Sequence, residues 1–191
     1  MPHDNAAMFN IPNILTLARI LAVPLFLSLL VEGENDAALT VFLLAGLTDA
    51  VDGMIARMWN LRTELGAHMD PLADKLLVVS SFIALGILGL VPRPLMIVVI
   101  MRDVVILGGF LLTAAIVGKS MEMAPSLSGK LTTFTQLLSV TLVLIDLAQW
   151  WDVPTTFLNI VFVATGLTSF VSGGGYVLRG MKWYAASGPE A

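Results

Sequence analysis

The sequence predicts an all-α integral membrane protein of about six transmembrane helices with a polar active-site cavity near the cytoplasmic side, and three observations carry that expectation. Of its 191 residues, 57% are hydrophobic and only 13% charged, with a mean hydropathy of +0.89, well outside the range of soluble domains. Apolar stretches of about 20 residues, each long enough to cross roughly 30 Å of hydrocarbon, follow one another with short polar interruptions. The charges that do fall inside those stretches gather in the second and third.

Taken in order, the expected spans are 13–31, 37–57, 66–90, 94–117, 127–150 and 154–178. The first closes at Glu32-Gly33-Glu34-Asn35-Asp36, and the second at Trp59-Asn60-Leu61-Arg62. Val91-Pro92-Arg93, Gly118-Lys119 and Trp151-Asp152-Val153 separate the remaining four. Pro24 should kink the first span. That span is read as retained and not as a signal peptide, because Asp4 stands where a basic leader belongs and Arg19 lies inside the apolar run. Nothing is left over for a separate soluble domain, so residues 1–191 are expected to form one membrane domain.

Arg57, Arg62, Lys119, Lys130, Arg179 and Lys182 fall at or near the loops of one side, against Arg93 on the other. The positive-inside rule then places both termini in the cytoplasm, with a bacterial inner membrane as the expected location. Trp59, Trp150, Trp151, Trp183 and Tyr184 suit the two interfaces. The absence of cysteine excludes disulfides, thiolate-bound zinc and thiol nucleophiles. No nucleic-acid-binding signature is visible. The net charge of −4 is better explained by bound cations than by a basic partner.

An ionisable side chain at the bilayer centre costs about 3 kcal/mol on insertion scales, so intramembrane charge needs a role. The second span carries Asp49, Asp52 and Arg57, and the third carries Asp70, Asp74 and Lys75. Asp49 and Asp52 are about 60° apart on a helix, and Gly53, Ala56 and Arg57 continue the same side. Gly66, Asp70 and Asp74 form an i, i+4, i+8 stripe on the next helix, which the short connection makes an antiparallel neighbour. Asp49, eight residues before Arg57, and Asp74, eight after Gly66, each lie roughly 12 Å inside the cytoplasmic ends of their helices. Four carboxylates brought together there would repel one another unless protonated or bound to cations. An all-oxygen donor set suits two Mg²⁺ or Mn²⁺ ions, and such a pair can clamp a pyrophosphate.

The pattern Asp49-Ala-Val-Asp52-Gly53-Met-Ile-Ala56-Arg57, followed by Gly66, Asp70 and Asp74, resembles the complete signature of the CDP-alcohol phosphatidyltransferases. The resemblance implies a six-helix membrane fold, two divalent cations, CDP-diacylglycerol as donor and CMP as product. It implies that Asp49, Asp52, Asp70 and Asp74 hold the metals and that Asp74 is also the catalytic base on the acceptor hydroxyl. Asn13, Thr16, Gly53, Ala56, Arg57, Thr63 and Gly66 would line the CDP-lipid site, and a homodimer is expected by the same likeness. Asn10-Ile-Pro-Asn13-Ile-Leu-Thr16-Leu-Ala-Arg19, Asp70-Pro-Leu-Ala-Asp74-Lys75-Leu and Gly129-Lys130 with Thr132, Thr133 and Gln136 are similar to two branches. These are the phosphatidylglycerophosphate synthases, whose acceptor is glycerol 3-phosphate, and the CMP-forming cardiolipin synthases, whose acceptor is phosphatidylglycerol. Arg102 and Lys130 are the candidate cations for an acceptor phosphate.

Each assignment has a plainer counterpart. Asp70-Pro71 is a natural helix cap, as are Asn13 and Thr16. Arg57 could simply snorkel, Arg102 could pair with Asp103, and Lys130 could face the cytoplasm. Gly173-Gly174-Gly175 follows no expected strand and reads as helix packing or a bend. The competing function is a divalent-cation transporter, which needs acids along a path to both membrane faces. Beyond the cluster, the opposite half offers only loop acids such as Glu32, Glu34 and Asp36.

Overall fold

The computed structural model describes the backbone of residues 11–59, 64–117 and 127–186, and side chains within 18–48, 75–109 and 127–181. These residues form six helices: α1 (Ile11–Glu32), α2 (Asn35–Trp59), α3 (Glu64–Ile87), α4 (Arg93–Val117), α5 (Leu127–Leu147) and α6 (Thr155–Ala186). The order and number match the expected spans; the ends differ for local reasons. Helix α1 runs unbroken through Pro24.

Three helices stop with the same hydrogen-bonded turn. After α1, Glu34 N–H donates to the Leu29 carbonyl (2.9 Å) and Gly33 N–H to that of Leu30, with Gly33 at φ 81°. After α3, Leu90 donates to Leu85 (2.9 Å) and Gly89, at φ 75°, to Gly86. After α5, Trp150 donates to Ile145 (3.2 Å) and Gln149, at φ 57°, to Asp146. This is the Schellman arrangement, which satisfies carbonyls that the helix end would otherwise orphan. It ends α3 at Ile87 and not Leu90, and α5 at Leu147 and not Trp150, although the sequence stays apolar for several residues more. At the other extreme, α6 continues past the expected Leu178 to Ala186, because no proline or capping turn interrupts it once the apolar run is over.

The described contacts gather into two compact units. The first comprises Met1–Ala84 with Val140–Val153, and the second Leu85–Ser139 with Pro154–Ala191. In the first, α1 packs on α2 around Phe26 and Phe42, whose rings meet at 5.8 Å and 46°, with Leu30, Ala38, Leu39 and Ala45 buried beside them. The start of α2 is tied to the end of α5: Asn35 Nδ2 donates to the Leu147 carbonyl (3.3 Å), and Trp150 Nε1 donates to Asp36. Asp146 accepts from the Val153 amide at 2.9 Å, closing the turn after α5.

In the second unit α4 packs on α6, burying Leu95, Val99, Val161 and Phe162. Gly86, at the end of α3, is a close approach: a Cβ there would fall 2.4 Å from Met96 Sδ and 3.2 Å from its Cβ. Between α5 and α6 lies a seam of buried hydroxyls. Ser139 and Thr165 share a hydrogen bond of 2.8 Å, Thr135 and Thr168 one of 3.0 Å, and Thr132 donates to the Thr168 carbonyl at 2.9 Å.

The distribution of polarity is inverted relative to a soluble protein. Arg19, Ser81, Arg102, Asp103, Thr132, Gln136, Ser139, Thr165, Ser169 and Ser172 are buried, while Leu21, Leu44, Leu47, Ile160, Val163, Leu167 and Phe170 are more than half exposed. Such a surface is built for hydrocarbon. Among the described residues, Leu127–Leu147 and Thr155–Met181 are long and apolar enough to cross a membrane.

Candidate active site

The acidic signature falls on two helices. Asp49, Asp52, Gly53, Ala56 and Arg57 lie on α2, and Gly66, Asp70 and Asp74 on α3. Their side chains lie outside the described residues, as do those of Asn13 and Thr16 on the first turns of α1, and Thr63 lies outside entirely. What the backbone supplies is register. On α2 the buried face runs through Ala38, Phe42 and Ala45, and helical periodicity carries it to positions 49, 52 and 56. On α3 the buried residues Leu85, Phe82 and Val78 lead back by the same rule to position 74, and positions 70 and 66 continue the i−4 row, which turns about 40° per step.

Two cations accompany these positions within the same unit. Arg19 on α1 is only 4% exposed, and Lys75, next to Asp74, is half-buried. The donor chemistry available is uniformly oxygen: the chain has no cysteine, and neither of its two histidines, His3 and His68, shows ligand spacing with the acids. Carboxylates alone fit hard divalent cations such as Mg²⁺ or Mn²⁺.

Of the two candidate acceptor cations, both in the second unit, Lys130 stands exposed in the first turn of α5. Arg102 is buried on α4, and its guanidinium donates to Asp103 and to Ser172 Oγ of α6 (3.1 Å). Gly173 of α6 faces this arginine, and a Cβ at that position would meet Arg102 Cγ at 3.5 Å, an ordinary van der Waals contact. Arg102 Nε, the Ser169 hydroxyl and both amide atoms of Gln136 are buried without a hydrogen-bond partner among the described residues.

The α6 half of the hydroxyl seam was not anticipated. Its signal is present in the sequence as Thr165, Thr168, Ser169 and Ser172, hydroxyls at i, i+3, i+4 and i+7 in an otherwise apolar helix.

The family model for CDP-alcohol phosphatidyltransferase matches residues 9–170. A probable phosphatidylglycerophosphate synthase of Mycobacterium tuberculosis (strain H37Rv) is 34% identical over 183 residues, covering 93% of this chain and 84% of the relative. A CDP-diacylglycerol–glycerol-3-phosphate 3-phosphatidyltransferase of Bacillus subtilis is 33% identical over 193 residues, covering 93% and 97%. Human CMP-forming cardiolipin synthase is 45% identical over 100 residues, covering 52% of this chain and 33% of the relative. The chain therefore belongs to the CDP-alcohol phosphatidyltransferase family of enzymes.

Proposed function

We propose that this enzyme transfers the phosphatidyl group of CDP-diacylglycerol to the hydroxyl of glycerol 3-phosphate, releasing CMP, at a site formed by α2 and α3 near the cytoplasmic face of six membrane spans. The observation that carries the acceptor is coverage. The relatives matched along nearly the whole of both chains include the Bacillus subtilis protein whose name specifies glycerol 3-phosphate.

In this reading Asp49, Asp52, Asp70 and Asp74 hold two Mg²⁺ or Mn²⁺ ions. Those ions, when bound, offset the charge of the diphosphate and of the departing nucleotide. Gly53, Ala56 and Gly66 leave space for the donor to approach the helix backbones. Arg57, Thr63, Asn13 and Thr16 orient its nucleotide and diphosphate, fixing the reacting geometry. Asp74 takes the proton from the acceptor hydroxyl. The freed oxygen forms a bond to the phosphorus that bears the diacylglycerol, and the bond from that phosphorus to the bridging oxygen breaks, so CMP leaves with that oxygen. Lys130 and Arg102 attract the acceptor phosphate. The active protein is a homodimer with both termini cytoplasmic.

A second acceptor, phosphatidylglycerol, is favoured by the 45% identity with human cardiolipin synthase over 100 residues. Purified protein supplied with CDP-diacylglycerol, Mg²⁺ and either acceptor distinguishes the two. CMP release with glycerol 3-phosphate alone supports the proposal. Release with phosphatidylglycerol alone transfers the assignment to cardiolipin synthesis, and release with neither removes both.

A further inference from the structure

Gln136 and Ser169 belong to none of the roles above. Both are completely buried, Arg102 is only 6% exposed, and both amide atoms of Gln136, the Ser169 hydroxyl and Arg102 Nε have no hydrogen-bond partner among the described residues. A buried polar atom left without a partner destabilises the fold, so each such group needs an explanation. All three residues lie in the second unit, and helix register shows that they face one corner of it.

On α6, Thr165 and Thr168 bond to Ser139 and Thr135 of α5, while added Cβ atoms at Gly166 and Gly173 would meet Leu95 and Arg102 of α4. Ser169 is four residues after Thr165 and four before Gly173, about 40° from each around the axis, so it stands where the α5 side of α6 turns into the α4 side. The contacts between α5 and α6 rise along one helix as they fall along the other, which makes the pair antiparallel. In such a pair, a one-residue step from a facing position turns both helices toward the same flank. Thr165 to Gly166 turns toward α4, and so does Thr135 to Gln136. Gln136 also lies between Thr135 and Ser139, within one turn of the level of Ser169, and its long side chain leans back toward the start of α5. That is the direction of Ser172, three residues beyond Ser169, to which the Arg102 guanidinium donates at 3.1 Å.

We propose that Arg102, Gln136 and Ser169 form a binding site for one small hydroxyl-bearing guest between α4, α5 and α6. The atoms on offer decide the class. Gln136 Nε2 and Arg102 Nε only donate, Gln136 Oε1 only accepts, and the serine hydroxyl does either. A hydroxyl group accepts from the first two and donates to the third. An acceptor-only anion would leave Oε1 unpaired, and an apolar group would leave every one of them so. The α6 wall of the corner is made of the small residues Ser169, Ser172 and Gly173, and three polar partners are the usual complement of a buried water. The hydroxyl has two sources: a resident water, or a free hydroxyl of the glycerol in the acceptor. The second source rests on the acceptor reading given above, and the first does not.

The chain has two glutamines, of which Gln149 is exposed. Labelling the full chain with ¹⁵N-glutamine in detergent therefore gives two side-chain amide signals, which Gln149→Gly assigns. The Gln136 amide protons should show cross-relaxation with water in the wild type. Added glycerol 3-phosphate should either leave that signal in place, which assigns the guest to water, or replace it by cross-relaxation with glycerol protons, which assigns it to the acceptor. Gln136→Met and Ser169→Ala should each lower Tm by roughly 2–4 °C, because each removes a bond to the guest. The double variant should lose less than the two combined, since the guest is shared.

A Gln136 amide that cross-relaxes with neither water nor glycerol overturns the proposal, as does one that reaches protein protons alone. So does a rise in Tm in both variants, the result for unpaired buried atoms that have been removed, and so do strictly additive losses. If the wild type releases no CMP with either acceptor, the acceptor reading fails, while a water signal at Gln136 still supports the site.

Discussion

Replacing Gln149 by glycine should stabilise the protein, and the protein contains its own controls. Gln149 occupies the left-handed position of the turn after α5 at φ 57°, the place that Gly33 and Gly89 fill after α1 and α3 at φ 81° and 75°. A residue with a Cβ pays about 1–2 kcal/mol to adopt that conformation. Glycine avoids the cost but gives back roughly 0.5–1 kcal/mol of extra chain entropy in the unfolded state. The net expectation for Gln149→Gly is a gain of about 0.5–1 kcal/mol, or roughly 2 °C in Tm for a chain of this length. Gly33→Ala and Gly89→Ala should move the other way by a similar amount. At both sites an added Cβ meets nothing within 4 Å, so the loss is purely one of backbone conformation. Thermal unfolding in one detergent, with all three variants side by side, measures this. A Gln149→Gly protein no more stable than wild type would refute the reasoning, provided that Gly33→Ala and Gly89→Ala do lose stability.

The remaining predictions concern the site and the seam. Asp74→Asn should abolish CMP release by a factor of about 10² or more while keeping donor binding, whereas Asp49→Asn should weaken Mn²⁺ binding and recover partly at high Mg²⁺. Equal behaviour of the two variants in a metal titration of turnover would merge the roles. Arg102→Met should raise KM for glycerol 3-phosphate with little change in KM for CDP-diacylglycerol, and because it removes the guanidinium's bonds to Asp103 and Ser172, it should also lower Tm; a Tm loss with KM unaltered would assign Arg102 to architecture alone. Ser139→Val removes the 2.8 Å bond to Thr165, whose hydroxyl keeps its 3.0 Å bond to the Thr135 carbonyl, and should cost about 0.5–1.5 kcal/mol, readable as a Tm shift without change in either KM.

The helix count and order were legible because apolar runs of about 20 residues, separated by short polar breaks, follow one another in the sequence. The ends were less so. Leu88, Leu90 and Trp150 are as apolar as the residues before them, yet α3 and α5 have already stopped, since a backbone turn with one residue at positive φ ends a helix whatever the hydropathy beyond it. The acidic positions stand out in the sequence because carboxylates at i and i+3 on one helix and i and i+4 on the next are costly in hydrocarbon, but their side chains lie outside the described residues. The arrangement around Arg102 was only half legible. Its partner Asp103 is the next residue, but Ser172 stands 70 positions away on α6, and no local pattern connects them.

Thr132 and Thr133 show why the seam escaped a sequence reading. Both hydroxyls donate to the carbonyl four residues earlier, Thr132 to Ser128 at 2.8 Å and Thr133 to Gly129 at 3.2 Å, so each is satisfied within α5 in any environment. They differ by one residue, about 100° around the helix axis. That rotation buries Thr132 completely and offers its single proton a second acceptor, the Thr168 carbonyl at 2.9 Å, while Thr133 stays exposed. A threonine in an apolar helix is therefore silent about its role until the partner helix is known. The same hydroxyl that costs nothing toward lipid becomes, one residue earlier, a link between α5 and α6.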